Sequence, residues 1–240
     1  MKAAIHSYES LAALDGHGLR YGVFFSGCPL RCVYCHNPDT REGKTALVTP
    51  EELVRRVVRY KPYFGAKGGV TFSGGEPLLQ AAFLRETVPL LAEAGIRYAV
   101  DTSGAVPLSD DVRTVLSQAQ TVLLDLKFYT DADYRRYTGV GMDETLEVLR
   151  FLDSEGVETV IRTVIVPGIN DTEEAVERYA EVLRPFSCVS SFELLGFHTM
   201  GFFKYEALGI PNPLAHTPPL SDERLSELKA HLASKQKKNG

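Results

Sequence analysis

Six short runs rich in β-branched and aromatic residues alternate with longer segments of helical period: Tyr21 to Ser26, Gly69 to Ser73, Arg97 to Thr102, Thr121 to Lys127, Thr159 to Val166 and Val189 to Leu195. That alternation constrains the fold more than any other feature. Strands separated by helices run parallel, joined by right-handed crossovers, because a parallel pair needs a connection long enough to return along the sheet. Six such units predict an α/β fold built as a partial (β/α)6 TIM-type barrel, with a doubly wound sheet as the alternative. Helix boundaries are legible too. Thr49-Pro50-Glu51-Glu52 supplies an N-cap, a proline at the first helical position and a capping-box acid ahead of Leu53, Val54, Val57 and Val58. Leu78 to Ala94 stops at Gly95, Asp143 to Glu155 stops at Gly156, and a helix opened by Asp171-Thr172 reaches Leu183 ahead of Pro185.

With 240 residues and 44% hydrophobic content, the chain can bury one substantial core. A single domain over residues 1–240 is expected, its barrel core spanning roughly 20–200, followed by a C-terminal loop and helix over 196–240. Gly196 to Pro219 reads as a long loop of the kind that often carries function. The net charge of -5 argues against a nucleic-acid surface, and Lys235, Lys237 and Lys238 read as a solvated tail. The N-terminus does not read as a signal peptide, and no run approaches the ~18 apolar residues of a membrane span. A cytoplasmic protein with no membrane partner follows, and its cysteines need an explanation other than disulfides.

Three of the four cysteines, Cys28, Cys32 and Cys35, fall on one loop directly after the first predicted strand. Thiols at that density select an iron-sulfur cluster or zinc. A cubane cluster has four irons, so three cysteines leave one iron free for a substrate. The alternative is a closed Cys3His zinc site using His36, although adjacent Cys35 and His36 would have difficulty reaching one tetrahedral ion. Cys188 stands apart in an apolar stretch and reads as an inert packed thiol.

The CxxxCxxC spacing with Tyr34 before the last cysteine resembles the radical SAM superfamily, and Arg31-Cys32-Val33-Tyr34-Cys35-His36-Asn37 resembles its pyruvate formate-lyase activating enzyme branch. The likeness runs through Ile5-His6-Ser7, Asp15-Gly16-His17-Gly18, Ser73-Gly74-Gly75-Glu76-Pro77, Asp101-Thr102-Ser103-Gly104, Asp125-Leu126-Lys127, Val166-Pro167-Gly168 and His198. It covers nearly the whole chain. Two positions depart from the pattern: His17 stands where the family usually has proline, and Ser26 where it commonly has glutamine.

The resemblance implies one 4Fe-4S cluster held by Cys28, Cys32 and Cys35, with S-adenosylmethionine (SAM) at the open iron. It implies that the reduced cluster cleaves SAM to a 5′-deoxyadenosyl radical, which takes a hydrogen atom from a glycine of a partner protein such as pyruvate formate-lyase. Cofactor contacts are implied for Tyr34, Cys35, His36, Gly74, Gly75, Asp101, Asp125, Leu126, Lys127, Arg162 and His198, and a monovalent cation near Asp101, Thr102 and Asp125. For Arg162, a structural salt bridge is the competing reading. Gly74 and Gly75 could equally serve a tight strand-to-helix turn. Flavodoxin is the implied electron donor and a monomer the implied state. The alternatives are activation of another glycyl radical enzyme, small-molecule radical SAM chemistry and, from a different class, a non-catalytic iron-sulfur or zinc protein.

Overall fold

The computed structural model describes residues 1–12, 16–41 and 45–236. Asp15, Lys237 and Lys238, singled out above, lie outside the described residues. The strands are β1 (Ala3–Ala12), β2 (Arg20–Phe25), β3 (Ala46–Val48), β4 (Gly69–Gly74), β5 (Tyr98–Thr102), β6 (Thr121–Asp125), β7 (Thr159–Ile165) and β8 (Val189–Gly196). The helices are α1 (Pro50–Val58), α2 (Lys61–Phe64), α3 (Ala81–Glu93), α4 (Asp110–Ser117), α5 (Asp131–Thr138), α6 (Asp143–Glu155), α7 (Glu173–Leu183), α8 (Phe202–Leu208) and α9 (Asp222–Gln236).

One sheet holds all these strands in the order β3-β1-β2-β4-β5-β6-β7-β8. From β2 to β8 every neighbour is parallel. Among the parallel strands the spatial order, β2-β4-β5-β6-β7-β8, is the order of the chain, so these strands have no switch point and no doubly wound topology. All crossovers then fall on one face, and α1 packs on α3, α3 on α4 and α4 on α6 as a single outer layer. The result is an open barrel of six parallel strands, as the alternation predicts.

Two strands are additional to that prediction. β1 runs antiparallel to β2, and β3 antiparallel to β1. Register shifts between Ile5 and Ser7 and between Ser10 and Ala12 interrupt the two-residue alternation of β1, removing the pattern by which a strand is recognised. β3 has only three residues, two of them exposed. Because β1 joins the sheet, Ala3 and Ile5 are core residues, well ahead of position 20.

Inside the wall, side chains sort by strand parity. Phe25 lies edge-on to Phe72 and Phe83 in the layer between sheet and helices, with centroids 5.9 and 6.1 Å away. A smaller cluster of Ile165, Val176, Leu194, Leu228 and Leu232 seats α9 against β8 and α7. There Lys235 is no free tail: its Nζ pairs with Glu177 at 2.7 Å. At the N-terminal end of the parallel strands the buried Arg20 guanidinium donates to Thr71 Oγ1 (2.6 Å), the Val70 carbonyl (2.7 Å) and the His17 carbonyl (3.0 Å). His17 itself reaches Glu158 at 3.1 Å at this end, opposite the cysteine loop.

Helix ends follow the residues that cap them. Thr49 and Glu52 form the reciprocal capping box, and Gly156 ends α6 in the left-handed conformation. The helix expected over Leu78 to Ala94 opens as a short 3-10 turn, Pro77–Gln80, before α3. The stretch read as a loop from Gly196 to Pro219 contains α8. Among the described residues no helix is long and apolar enough to cross a membrane.

Candidate active site

The residues singled out in the sequence as cofactor contacts lie toward the C-terminal ends of the parallel strands or in the loops that follow them. The cysteine loop follows β2 and is pinned from several sides: Gly27 N–H donates to the Thr40 carbonyl (2.8 Å), Arg31 N–H to Thr138 (2.7 Å) and Val33 N–H to Tyr137 (2.9 Å). Cys28, Cys32 and Cys35 are partly buried free thiols within electrostatic reach of one another. Burial pushes the Cys28 thiol up to about 11 and the Cys32 thiol up to about 12. Thiolates form at such positions when a strong positive centre binds them. Between them Tyr34 is buried, its ring 6.1 Å from Phe128, and its phenol oxygen has no hydrogen-bond partner.

The turn after β4 presses against this loop. Gly74 adopts φ +110°, and a Cβ on Gly75 would stand 2.1 Å from the Gly27 carbonyl oxygen and 3.4 Å from Cys28 Cβ. Both glycines are therefore required by the backbone itself, and they bring the turn against the cluster loop. Gly75 N–H donates to Phe25 O (2.9 Å) and Glu76 N–H to Gly27 O (2.8 Å). Glu76, the acid of the Ser73 to Pro77 motif, is fully buried; its carboxylate accepts Thr102 Oγ1 (2.6 Å), Ser103 Oγ (2.6 Å), Ser103 N–H (2.9 Å) and Leu78 N–H (3.1 Å). Burial raises its pKa against these donors, Ser103 and Thr102 foremost.

A chain of charges crosses the mouth. Ser73 Oγ donates to Asp101 Oδ2 (2.7 Å), and Arg162 donates through Nη2 to Asp101 and through Nε to Asp125 Oδ1 (3.2 Å). Lys127 Nζ closes the chain on Asp125 Oδ2 at 2.6 Å. The parallel register that pairs Asp125 with Arg162 across β6 and β7 sets this contact. Burial alone would raise Asp125 and lower Lys127; Lys127 and Arg162 reverse the first, holding Asp125 below the usual carboxylate range, while Asp125 and Cys32 reverse the second. Arg162 thus makes the salt bridge that the sequence offered as its competing reading, at the site mouth. Leu126 is buried between these charges, its carbonyl accepting Thr163 Oγ1. A monovalent cation at Asp101, Thr102 and Asp125 would compete with Arg162 for both carboxylates, and the Thr102 hydroxyl is already given to Glu76.

After β8 the chain folds back over the cysteine loop. His198 meets His36 edge to face, centroids 4.6 Å apart; burial, with His198 and Lys204, lowers the His36 pKa. Lys204 Nζ binds Asn37 Oδ1 (2.6 Å) and Asp39 Oδ1 (3.1 Å), and Tyr205 OH donates to the Cys35 carbonyl (2.9 Å). Between β1, this loop and α8 lies a cavity of about 430 Å³, lined among others by His6, Glu9, Phe24, His36 and Lys204. The structure therefore gathers all the anticipated residues at one end of the barrel. Ser26 is placed under the same loop, with its hydroxyl buried and unpartnered. Cys188 sits in the turn before β8, half-buried, its N–H donating to Asp153 Oδ1 at 2.9 Å.

Residues 23–180 match the model of the radical SAM superfamily. Over 232 residues the chain is 41% identical to the pyruvate formate-lyase-activating enzyme of Clostridium pasteurianum, covering 95% of this chain and 96% of the relative. The chain belongs to the radical SAM superfamily, in the family of pyruvate formate-lyase-activating enzymes. It is also 39% identical over 233 residues to the pyruvate formate-lyase 1-activating enzyme of Escherichia coli K12, covering 95% and 94% of the two chains. In fold it resembles a radical SAM methyltransferase from Sphaerobacter thermophilus (TM-score 0.66, 21% identity, 90% of this chain and 64% of that one). A domain of a pyruvate-formate lyase-activating enzyme from Bacteroides vulgatus is similar over 70% of this chain and 94% of that one (TM-score 0.57, 24% identity).

The cofactors of radical SAM enzymes, a 4Fe-4S cluster and SAM, suit the donors found here. Three soft thiols share one loop, and each would bind a different iron of a cubane, farther apart than ligands of one tetrahedral ion. Among the described residues no three His, Cys, Asp or Glu side chains are gathered about a single ion, and His36 packs on His198. The unpartnered Tyr34 hydroxyl and the carboxylate and cationic groups beyond it leave polar partners for an amino acid and a nucleoside. Arg41, Lys204 and Tyr205 also touch the loop and were invisible in the sequence. No local motif marks them, since Tyr205 meets a carbonyl 170 residues earlier.

Proposed function

We propose that this chain activates pyruvate formate-lyase by installing a radical on one of its glycines. The observation that carries this reading is the 39–41% identity to pyruvate formate-lyase-activating enzymes over 95% of the chain. It extends far beyond the cysteine motif, and the residues of the charged mouth fall within it.

Cys28, Cys32 and Cys35 would hold the cluster, leaving one iron for the amino and carboxylate groups of SAM. When bound and reduced, the cluster would supply one electron to the SAM sulfonium, so that the S–C5′ bond breaks with release of methionine and the 5′-deoxyadenosyl group takes a hydrogen atom from glycine. The chain's own contribution is placement. Gly74 and Gly75 let the turn after β4 lie against the cysteine loop, so its backbone can approach the SAM amino group. Lys127 and Arg162 supply cations for a carboxylate, while Asp101 and Asp125 supply acceptors for ribose hydroxyls. Tyr34, Leu126, His36 and His198 would enclose the nucleoside. The 430 Å³ cavity beside His6, Phe24 and His36 offers room for a loop of the partner to reach the radical.

Electrons would come from a small donor such as flavodoxin, and the chain would act as a cytoplasmic monomer. The test is to incubate the anaerobically reconstituted, reduced protein with SAM and intact pyruvate formate-lyase and record electron paramagnetic resonance. A glycine-centred radical on the partner, with lyase activity appearing in proportion, supports the proposal. A loaded cluster that cleaves SAM but leaves the lyase silent contradicts it.

A further inference from the structure

In the cysteine loop all three ligand-bearing residues have their backbone carbonyls taken by side chains. Arg31 Nη1 donates to Cys28 O (2.8 Å), Arg41 Nη2 to Cys32 O (2.9 Å) and Tyr205 OH to Cys35 O (2.9 Å). The three donors come from the loop itself, from the end of the 3-10 helix Pro38–Thr40 and from α8. Tyr205 is buried, and Arg41 is drawn in far enough that its Nε is buried without a partner. Burying a guanidinium nitrogen unsatisfied is costly, so the position serves the contact made by its other end.

Independent contacts hold α8 in place. Lys204 ties it to Asn37 and Asp39, and Asp39 is tied in turn to His6 of β1 at 3.4 Å. A Cβ on Gly201 would stand 2.5 Å from the His36 carbonyl oxygen, so only glycine allows the start of α8 to lie this close. The segment after the last strand thereby spans the open side of the barrel and reaches the loop that follows β2.

We propose that Tyr205 and Arg41 are positioning residues for the iron-sulfur cluster, clamping the peptide groups of Cys35 and Cys32 and tuning the cluster's reduction. This rests on the assignment of Cys28, Cys32 and Cys35 as the cluster ligands. Reduction adds one negative charge to the cluster. A guanidinium beside one ligand and a phenol dipole beside another favour that reduced state and raise the potential at which it forms. The clamps also restrain the loop against loss of iron. The phenol acts through one hydrogen bond, the guanidinium through its charge as well, so Arg41 has the larger effect.

The test uses the reconstituted full chain and the variants Tyr205→Phe and Arg41→Met, with redox titration followed by electron paramagnetic resonance of the reduced cluster. Tyr205→Phe keeps the ring in its packed site, and Arg41→Met probes the neighbouring carbonyl and removes the guanidinium that also lies against the Tyr205 hydroxyl. Both midpoints should move to more negative potential, the Arg41 variant further. Iron release to a chelator should accelerate about 10-fold, the usual scale for losing an outer partner of a metal ligand. Midpoints equal to that of the parent protein in both variants would overturn the clamp while leaving the cluster assignment intact. A parent chain that takes up no cluster under the same reconstitution would overturn the cysteine assignment and the clamp with it.

Discussion

Glu76 and Ser103 meet twice: the Ser103 hydroxyl and its backbone N–H both donate to the same carboxylate oxygen, at 2.6 and 2.9 Å. Since Thr102 and Leu78 donate to the other oxygen, one buried carboxylate ties the turn after β4 to the turn after β5. Glu76→Ala strands these donors in a dry site and should cost about 3–5 kcal/mol, read as a shift in the urea midpoint. Glu76→Gln keeps the shape and one acceptor oxygen, and should lose roughly half as much. An alanine variant within about 1 kcal/mol of the parent would show that the brace contributes little.

Arg162 serves two carboxylates at once. Arg162→Met leaves Asp101 and Asp125 facing each other at the mouth, so stability should fall by about 3 kcal/mol and SAM binding should be lost together with it. Arg162→Lys should fail nearly as badly for SAM, because an ammonium cannot reproduce the planar fork. Calorimetric titration with SAM, set beside thermal melts, reads both effects. SAM affinity unchanged in Arg162→Met would remove Arg162 from the cofactor site.

Cys32→Ala should abolish the intact cluster and all SAM cleavage, whereas Cys188→Ser should leave both unchanged, since Cys188 lies in the turn before β8 and packs beside Asp153. Iron and sulfide analysis, with 5′-deoxyadenosine as product, distinguishes the two. Full iron content in Cys32→Ala would contradict the ligand assignment.

Asp153 makes an acid-side prediction. Its carboxylate is held below the usual range first by the Cys188 N–H and then by Ser187. A depressed folded-state pKa contributes stability that is fully present above the unfolded value of about 3.9 and is lost as pH falls through the folded value. Parent and Asp153→Asn should therefore differ in urea midpoint at neutral pH and converge on acidification below pH ~4. A constant difference across that range would assign the effect to something other than this carboxylate.

What could be read in the sequence follows from how local each signal is. The parallel strands announce themselves because each is a short apolar run between helical segments, and the barrel follows from their number. The cysteines, Asp101, Asp125 and Lys127 are visible because charges and thiols at strand ends are conspicuous, and Arg162 because a charge inside a strand is. β1 escapes because its two register irregularities break alternation. The burial of Glu76 is not legible, since nothing in the linear chain says that Thr102 and Ser103 will surround it. Tyr205 and Arg41 are more hidden still, because their partners are backbone carbonyls, which leave no trace in sequence.

The central claim, that this barrel makes a radical that takes hydrogen from a glycine, is tested most directly by isotope. The reconstituted, reduced protein is given SAM and a peptide from pyruvate formate-lyase deuterated at the target glycine, under strict anaerobiosis, and the 5′-deoxyadenosine is weighed by mass spectrometry. The account predicts product carrying deuterium from the glycine. Undeuterated 5′-deoxyadenosine from a fully loaded cluster would contradict the glycine target, and no product at all would contradict the radical chemistry itself.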